Sequence, residues 1–270
     1  MKRHVQEQSS ERLAYYSYNL FEPFSSEITC ITSTRLGGVS EGSLRSLNLS
    51  TRVGDDEHRV NTNRLRLCHS ITIEPGRVAQ AQLVHGNHIE VITEQSPKGF
   101  SYKFPATDGL VTNTADVALF IPVADCAAVA FFDPKQRVIG MLHAGWKGIV
   151  HNIIPAMITT MCDTYRSDPS DILVGVSPCL GPCCYEVCQD FIETFTETFP
   201  TKARDFILPQ ADDTIHFDMW SALRWQLEVC GIKHVEGPTI CTACQVDEFY
   251  SHRAEHGRTG RFAGVLVLRA

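Results

Sequence analysis

Several things are scarce in this sequence, and each shortage excludes something. There is no surplus of positive charge: 24 Lys and Arg stand against 31 Asp and Glu, a net charge of −7. A surface of that sign repels a phosphate backbone, which argues against nucleic-acid binding as the main role and leaves room only for a local basic pocket for a small anion. No apolar run is long enough to span a bilayer. The longest, 117–132, is interrupted by Pro122 and Asp125 and reads as two strands with a turn between them. The first residues, MKRHVQEQSSER, carry no apolar signal core, so a cytoplasmic protein with no membrane partner is expected. Repeats, low-complexity tracts and Pro/Gly/Ser-rich linkers are missing as well. One domain is therefore expected over 1–270, with 1–27 as an N-terminal extension to which no order is assigned.

Apolar material is plentiful. Hydrophobic residues make up 43% of the 270 and charged residues 20%, enough for a real core and too apolar for a disordered chain. Eleven cysteines in a chain of this size without a signal are expected to be reduced, as core residues, ligands or nucleophiles. Strands are predicted over 28–34, 88–93, 117–121, 127–132, 137–142, 172–176 and 264–268. Helices are predicted over 57–70, capped by Asp55 and Asp56, and over 149–165, 189–198 and 218–229, with Gly231 as a stop for the last. Clustered strands with helices grouped between them indicate an α+β fold, a buried sheet covered by helices.

Three segments carry chemistry: Gln82-Leu-Val-His-Gly86, Ala124-Asp-Cys126 and His143-Ala-Gly-Trp-Lys-Gly148. Each places a metal ligand or nucleophile at the expected end of a strand, among small residues that allow close approach. Two imidazoles and one thiolate make an open tetrahedral zinc site whose fourth position takes water. The sequence gaps are long, so spacing alone leaves other readings open. His85 and His143 could be ordinary loop histidines and Cys126 a small buried hydrophobe, or Cys126 and His143 a metal-free nucleophile–base pair.

Beyond these segments, Thr34-Arg-Leu-Gly-Gly-Val-Ser-Glu-Gly42, Leu47-Asn-Leu49, Val53-Gly-Asp-Asp56, Thr107-Asp-Gly109, Gly181-Pro-Cys-Cys-Tyr-Glu-Val187, Phe249-Tyr-Ser-His-Arg253 and Thr259-Gly-Arg261 follow in order. Together they resemble the YfiH-like family, also called the laccase-domain or multicopper polyphenol oxidoreductase family. The resemblance runs over nearly all of the chain from about residue 28. It implies a single layered α/β/β/α domain and one zinc held by His85, Cys126 and His143. It also implies purine nucleoside phosphorylase activity with adenosine deamination, the partners being a purine nucleoside and phosphate. A monomer is expected.

Copper fits the same three donors, since it outcompetes zinc at most nitrogen sites. A trinuclear copper cluster, however, needs His-x-His pairs, and none occurs among the eleven histidines. Some relatives are associated with editing of peptidoglycan precursors, and a cytoplasmic hydrolase of that kind is the alternative. Copper-dependent phenol oxidation and a non-catalytic binding module are further ones. Phosphorolysis needs fixed guanidinium groups for the phosphate, and Arg35, Arg253 and Arg261 are the candidates. Asn48 and Lys147 are candidate substrate contacts, and Asp125 or Asp108 is the candidate acid for the leaving amine. Where relatives carry a second Arg after the Phe-Tyr-Ser segment, this chain has Ala254. Cys241-Thr-Ala-Cys244 has zinc-knuckle spacing but no second CxxC pair, so these thiols are expected to be unmetallated.

Overall fold

The computed structural model of the chain describes residues 1–8 and 11–270. Strands β1 (Lys2–Gln8), β2 (Glu11–Ser17) and β3 (Ile28–Ser33) come first. Helix α1 (Glu57–Ser70) is followed by β4 (Val78–Gln80), β5 (Ile89–Val91) and β6 (Gly109–Thr112). Three long strands, β7 (Ala118–Val123), β8 (Ala127–Asp133) and β9 (Val138–Ala144), form the middle. After them come α2 (Trp146–Val150), α3 (Ile153–Tyr165), β10 (Leu173–Val176), α4 (Gln189–Thr198) and α5 (Ala203–Phe206). The chain closes with β11 (Ile207–Pro209), β12 (Ile215–Phe217), α6 (Met219–Val229), β13 (His234–Glu236) and β14 (Phe262–Leu268).

The long strands fall into two six-stranded sheets, ordered β1-β2-β3-β14-β7-β4 and β13-β10-β8-β9-β6-β5. Period-two alternation sorts their side chains. Leu119 and Ile121 of β7 and Leu266 and Leu268 of β14 face Ala128, Ala130 and Phe132 of β8 and Ile139 and Met141 of β9, in a core between the sheets. The opposite faces of the same strands meet helices. Ala118, Phe120, Val265 and Val267 pack with Leu67 and Cys68 of α1. Val129, Phe131 and Leu142 pack with Ile154, Met157 and Met161 of α3 and Leu223 and Leu227 of α6. The layers are therefore helix, sheet, sheet, helix. Strands buried on both faces read as nearly continuous apolar runs, as β7, β8 and β9 do.

Two expectations need correction. The helix predicted over 149–165 is two helices, α2 and α3, separated at Asn152, whose φ of +58° lies in the left-handed region. Pro155 explains the break. In a continuous helix its ring would clash with the carbonyl of His151, whereas in the first turn of α3 it is tolerated. The stretch 1–27 is also more than an extension. Strand β2 pairs with β3 from Tyr15 opposite Ser33 to Ser17 opposite Ile31, and Leu13, Ala14, Tyr18 and Phe21 are buried.

Helix α1 forms where the sequence placed it. The Asp56 carboxylate accepts from the Arg59 N–H at 3.0 Å, satisfying one of the orphan donors of the first turn. Val60, Arg64, Leu67 and Cys68 are buried along one face. Asp56→Ala should lower unfolding free energy by about 0.5–2 kcal/mol, read by urea denaturation, because an exposed N-cap acts on stability alone.

Candidate metal centre and active site

Three chain segments meet at one end of the two sheets. Cys126 ends the turn between β7 and β8, one residue after Asp125, which adopts a left-handed φ of +80°. His143 lies in β9 opposite Ala128 and is buried. His85 stands in the loop after β4, also with a left-handed φ of +63°, and is exposed. One ligand atom from each of the three lies within 4.8 Å of the others, and the two imidazole rings meet edge to face with centroids 4.7 Å apart. Gly145 makes the close approach practicable, because a Cβ there would sit 2.8 Å from the Cys126 sulfur.

Asp108, fully buried just before β6, holds the two histidines in place. One carboxylate oxygen accepts from His143 Nδ1 at 2.9 Å and from the His85 backbone N–H at 3.0 Å. The other accepts from the N–H groups of Val84 and Gly86 at 3.1 and 2.8 Å. Burial by itself would raise the carboxyl pKa, but the hydrogen bonds from His143 and the backbone outweigh it and hold Asp108 below its ordinary value. It is therefore an ionised acceptor behind His143, and this corrects its expected place as the acid. With Nδ1 committed to the carboxylate, His143 has Nε2 left for the site. A carboxylate–histidine pairing of this kind orients metal ligands, so the donor set fits a metal ion. Asp125 is engaged too. It accepts from the Thr242 hydroxyl and from the Arg253 backbone N–H, both at 2.6 Å. It tethers the loop before β14 and also lines the cavity beside the three ligand residues.

Without metal, Cys126 and His143 form a charge pair. Burial would push the thiol up, yet the charge of His143 and hydrogen bonds from His143 and His85 bring it down to about 6. Burial would lower His143, and the opposing charge of Cys126 with the Asp108 hydrogen bond raises it to about 9.

Beside these three side chains is a cavity of about 570 Å³, within the usual range for a small-molecule site. Lys147, Arg253 and Arg261 line it, together with Arg52, Tyr185 and His252. Arg52 was missed in the sequence. It falls between two family-like motifs, and only the fold brings its loop alongside Leu83, whose carbonyl accepts from its guanidinium at 3.2 Å. Backbone carbonyls of Cys184 and Glu186 hold the Arg253 guanidinium, and those of Thr259 and Gly260 hold that of Arg261.

Two expected contacts lie elsewhere. The Arg35 guanidinium bonds the carbonyls of Arg45 and Val246, pairs with Glu255 at 3.1 Å and sits 4.4 Å over the Tyr250 ring. It lines a separate groove. Asn48 is fully buried and spends its side chain on Ser50, Asp55 and the Arg261 backbone N–H. Its contribution to the cavity is to place Arg261.

The family model described as multi-copper polyphenol oxidoreductase laccase matches residues 29–269. The chain belongs to this YfiH-like family. Among the relatives of this YfiH-like chain is the purine nucleoside phosphorylase YlmD of Geobacillus stearothermophilus, 33% identical over 256 residues and 92% of each chain. Another is a purine nucleoside phosphorylase of Corynebacterium glutamicum, 32% identical over 92% of this chain and 97% of its own. The crystal structure of YlmD from G. stearothermophilus matches with a TM-score of 0.86 at 30% identity, covering 98% of this chain and 99% of that one. The crystal structure of the Bacillus licheniformis protein YfiH matches with a TM-score of 0.87 at 27% identity, covering 98% of this chain and 99% of that one. The α+β, helix–sheet–sheet–helix fold of the YfiH type is thus the fold of this chain. Among its described residues, no helix is long and apolar enough to cross a membrane.

Two outcomes test the geometry. In chelated protein, alkylation of Cys126, followed by peptide mass mapping, should be near its plateau at pH 7 and fall off below about pH 6, because the thiolate is lost as pH drops through its own pKa. Asp108→Asn should lower metal affinity about 10- to 100-fold in a chelator competition, since the amide cannot serve the same four donors.

Proposed function

We propose that this chain is a zinc-dependent purine nucleoside phosphorylase that also deaminates adenosine. The observation that carries the reading is one cavity that unites a His/Cys/His donor set with four cationic side chains, Arg52, Lys147, Arg253 and Arg261, on a chain of net charge −7. The names of the relatives support it. The substrates would be adenosine, inosine, guanosine or 5′-methylthioadenosine with inorganic phosphate.

Arg253 and Arg261 are held by backbone carbonyls and are the fixed forks for the phosphate, with Arg52 and Lys147 adding charge at the rim. Held there, a phosphate oxygen forms the bond to C1′ as the bond from C1′ to the base nitrogen breaks. The base leaves with that electron pair and takes up a proton, and ribose 1-phosphate remains. Positive charge that develops on the ribose is stabilised by the phosphate anion beside it. Leu83, Val123, Leu180 and Tyr185 line the same cavity and offer apolar surface to the purine. Zinc held by His85, Cys126 and His143 would supply Lewis acidity toward a water for attack at C6 in deamination. Copper suits the same donors, so metal content and turnover belong to one measurement on one sample.

The depressed Cys126 thiol beside His143 favours one second reading, a metal-free hydrolase in which the Cys126 thiolate, its proton already taken by His143, is the nucleophile and the protonated His143 gives a proton to the leaving group. Peptidoglycan-precursor editing would be of that class.

Base release from adenosine should require phosphate and yield ribose 1-phosphate, while deamination should persist without phosphate. Arg261→Lys should cost about ten- to a hundredfold in phosphorolysis, the worth of roughly 1.5–3 kcal/mol for a charged hydrogen bond. Equal base release with and without phosphate would mean hydrolysis instead. Full activity in metal-free protein would move the reaction to Cys126 and His143.

A further inference from the structure

A second cluster of soft ligands lies outside the cavity. Cys183 and Cys184 sit in the connection from β10 to α4, and Cys241 and Cys244 in the connection from β13 to β14. The missing partner of the CxxC pair is thus supplied by two adjacent cysteines about 60 residues away that only folding brings near. Cys183 and Cys184 sulfurs each lie 3.5 Å from that of Cys244, and all four sulfurs lie within 4.8 Å of one another. Tetrahedral coordination with zinc–sulfur bonds near 2.3 Å puts sulfurs about 3.8 Å apart, so the cluster is close to the right size without rearrangement. None of the four is in a disulfide.

Two further features fit thiolate ligation. The Gly181 backbone N–H points at the Cys241 sulfur at 3.2 Å, the kind of outer hydrogen bond that orients and supports a ligand. Each pair is also held in a turn, closed by the Cys184 N–H on the Gly181 carbonyl at 3.0 Å and the Gln245 N–H on the Thr242 carbonyl at 3.3 Å. Cys183 and Cys244 are exposed, which gives an ion a way in.

We propose that Cys183, Cys184, Cys241 and Cys244 form a structural tetrathiolate zinc site, distinct from the His85, Cys126 and His143 centre. Four protein ligands leave no open position, so its role is cross-linking, not catalysis. It joins two connections that otherwise meet through a few hydrogen bonds, and both build the cavity wall. Tyr185 follows Cys184 directly, and the Cys184 carbonyl accepts from the Arg253 guanidinium at 3.3 Å.

The test is zinc and iron content of the full chain, purified under reducing conditions without added metal, in variants that separate the two centres. The His85→Ala/His143→Ala chain should retain one zinc, and Cys241→Ser/Cys244→Ser introduced into it should remove that zinc and lower Tm. Because the Cys variant can fail to fold, cobalt(II) is also loaded into the His85→Ala/His143→Ala chain, where the intense sulfur-to-metal absorption of tetrahedral tetrathiolate cobalt is expected. Zinc-free protein in that background, iron in place of zinc, a cobalt spectrum without thiolate charge transfer, or a disulfide among the four cysteines would each overturn the proposal. Since the catalytic ligands are absent from this background, none of these results depends on whether the chain is a phosphorylase.

Discussion

One buried carboxylate organises the candidate centre. Asp108 accepts from the three consecutive backbone N–H groups of Val84, His85 and Gly86 and from the His143 ring. The loop after β4 therefore has its shape, and His143 its ring orientation, from the same two oxygen atoms. Backbone strain at His85, with its left-handed φ of +63°, persists because those hydrogen bonds define the loop around it. A buried carboxylate without such donors would take up a proton or destabilise the fold. Here every bond also favours the ionised form.

The same arrangement recurs elsewhere around the cavity. Asp125 ties the turn that presents Cys126 to Thr242 and to the backbone of Arg253. Asn48 does the same for the backbone of Arg261. Asp125, itself at the cavity wall, and the buried Asn48 thus fix the backbone of residues whose side chains line the cavity. This follows from burial. A polar side chain with no access to solvent must satisfy its hydrogen bonds within the protein, and the backbone groups of neighbouring loops are the partners at hand.

Charge is distributed in a related way. The chain is acidic overall, yet its cavity gathers Arg52, Lys147, Arg253 and Arg261. Low-dielectric walls concentrate the field of such a group, so a locally positive cavity and an acidic surface coexist without conflict. Arg35 shows the contrast. Its guanidinium is consumed by Glu255, two carbonyls and the Tyr250 ring, and it serves to hold loops together.

Much of the local structure was legible in short stretches of the chain. Asp56 and the apolar spacing that follows it specify α1, Gly231 stops α6, and the apolar runs of β7, β8, β9 and β14 specify strands buried on both faces. These signals depend on residues a few positions apart, through capping, periodicity and backbone preference. The donor types were visible as well, because His85, Cys126 and His143 each lie in a short motif of distinctive composition, but only the resemblance to a family joined them into one set. Tertiary structure decided everything that depends on distance. Of the eleven cysteines it set one, Cys126, beside two imidazoles and gathered four others into a cluster, although Cys183 and Cys184 carry no spacing signal that links them to Cys241. It placed Arg52 in the cavity and Arg35 outside it, and put Asp108 behind a histidine instead of before a substrate. Pairing across sheets and contacts between loops are set by the packing of layers, in which residues tens of positions apart become neighbours.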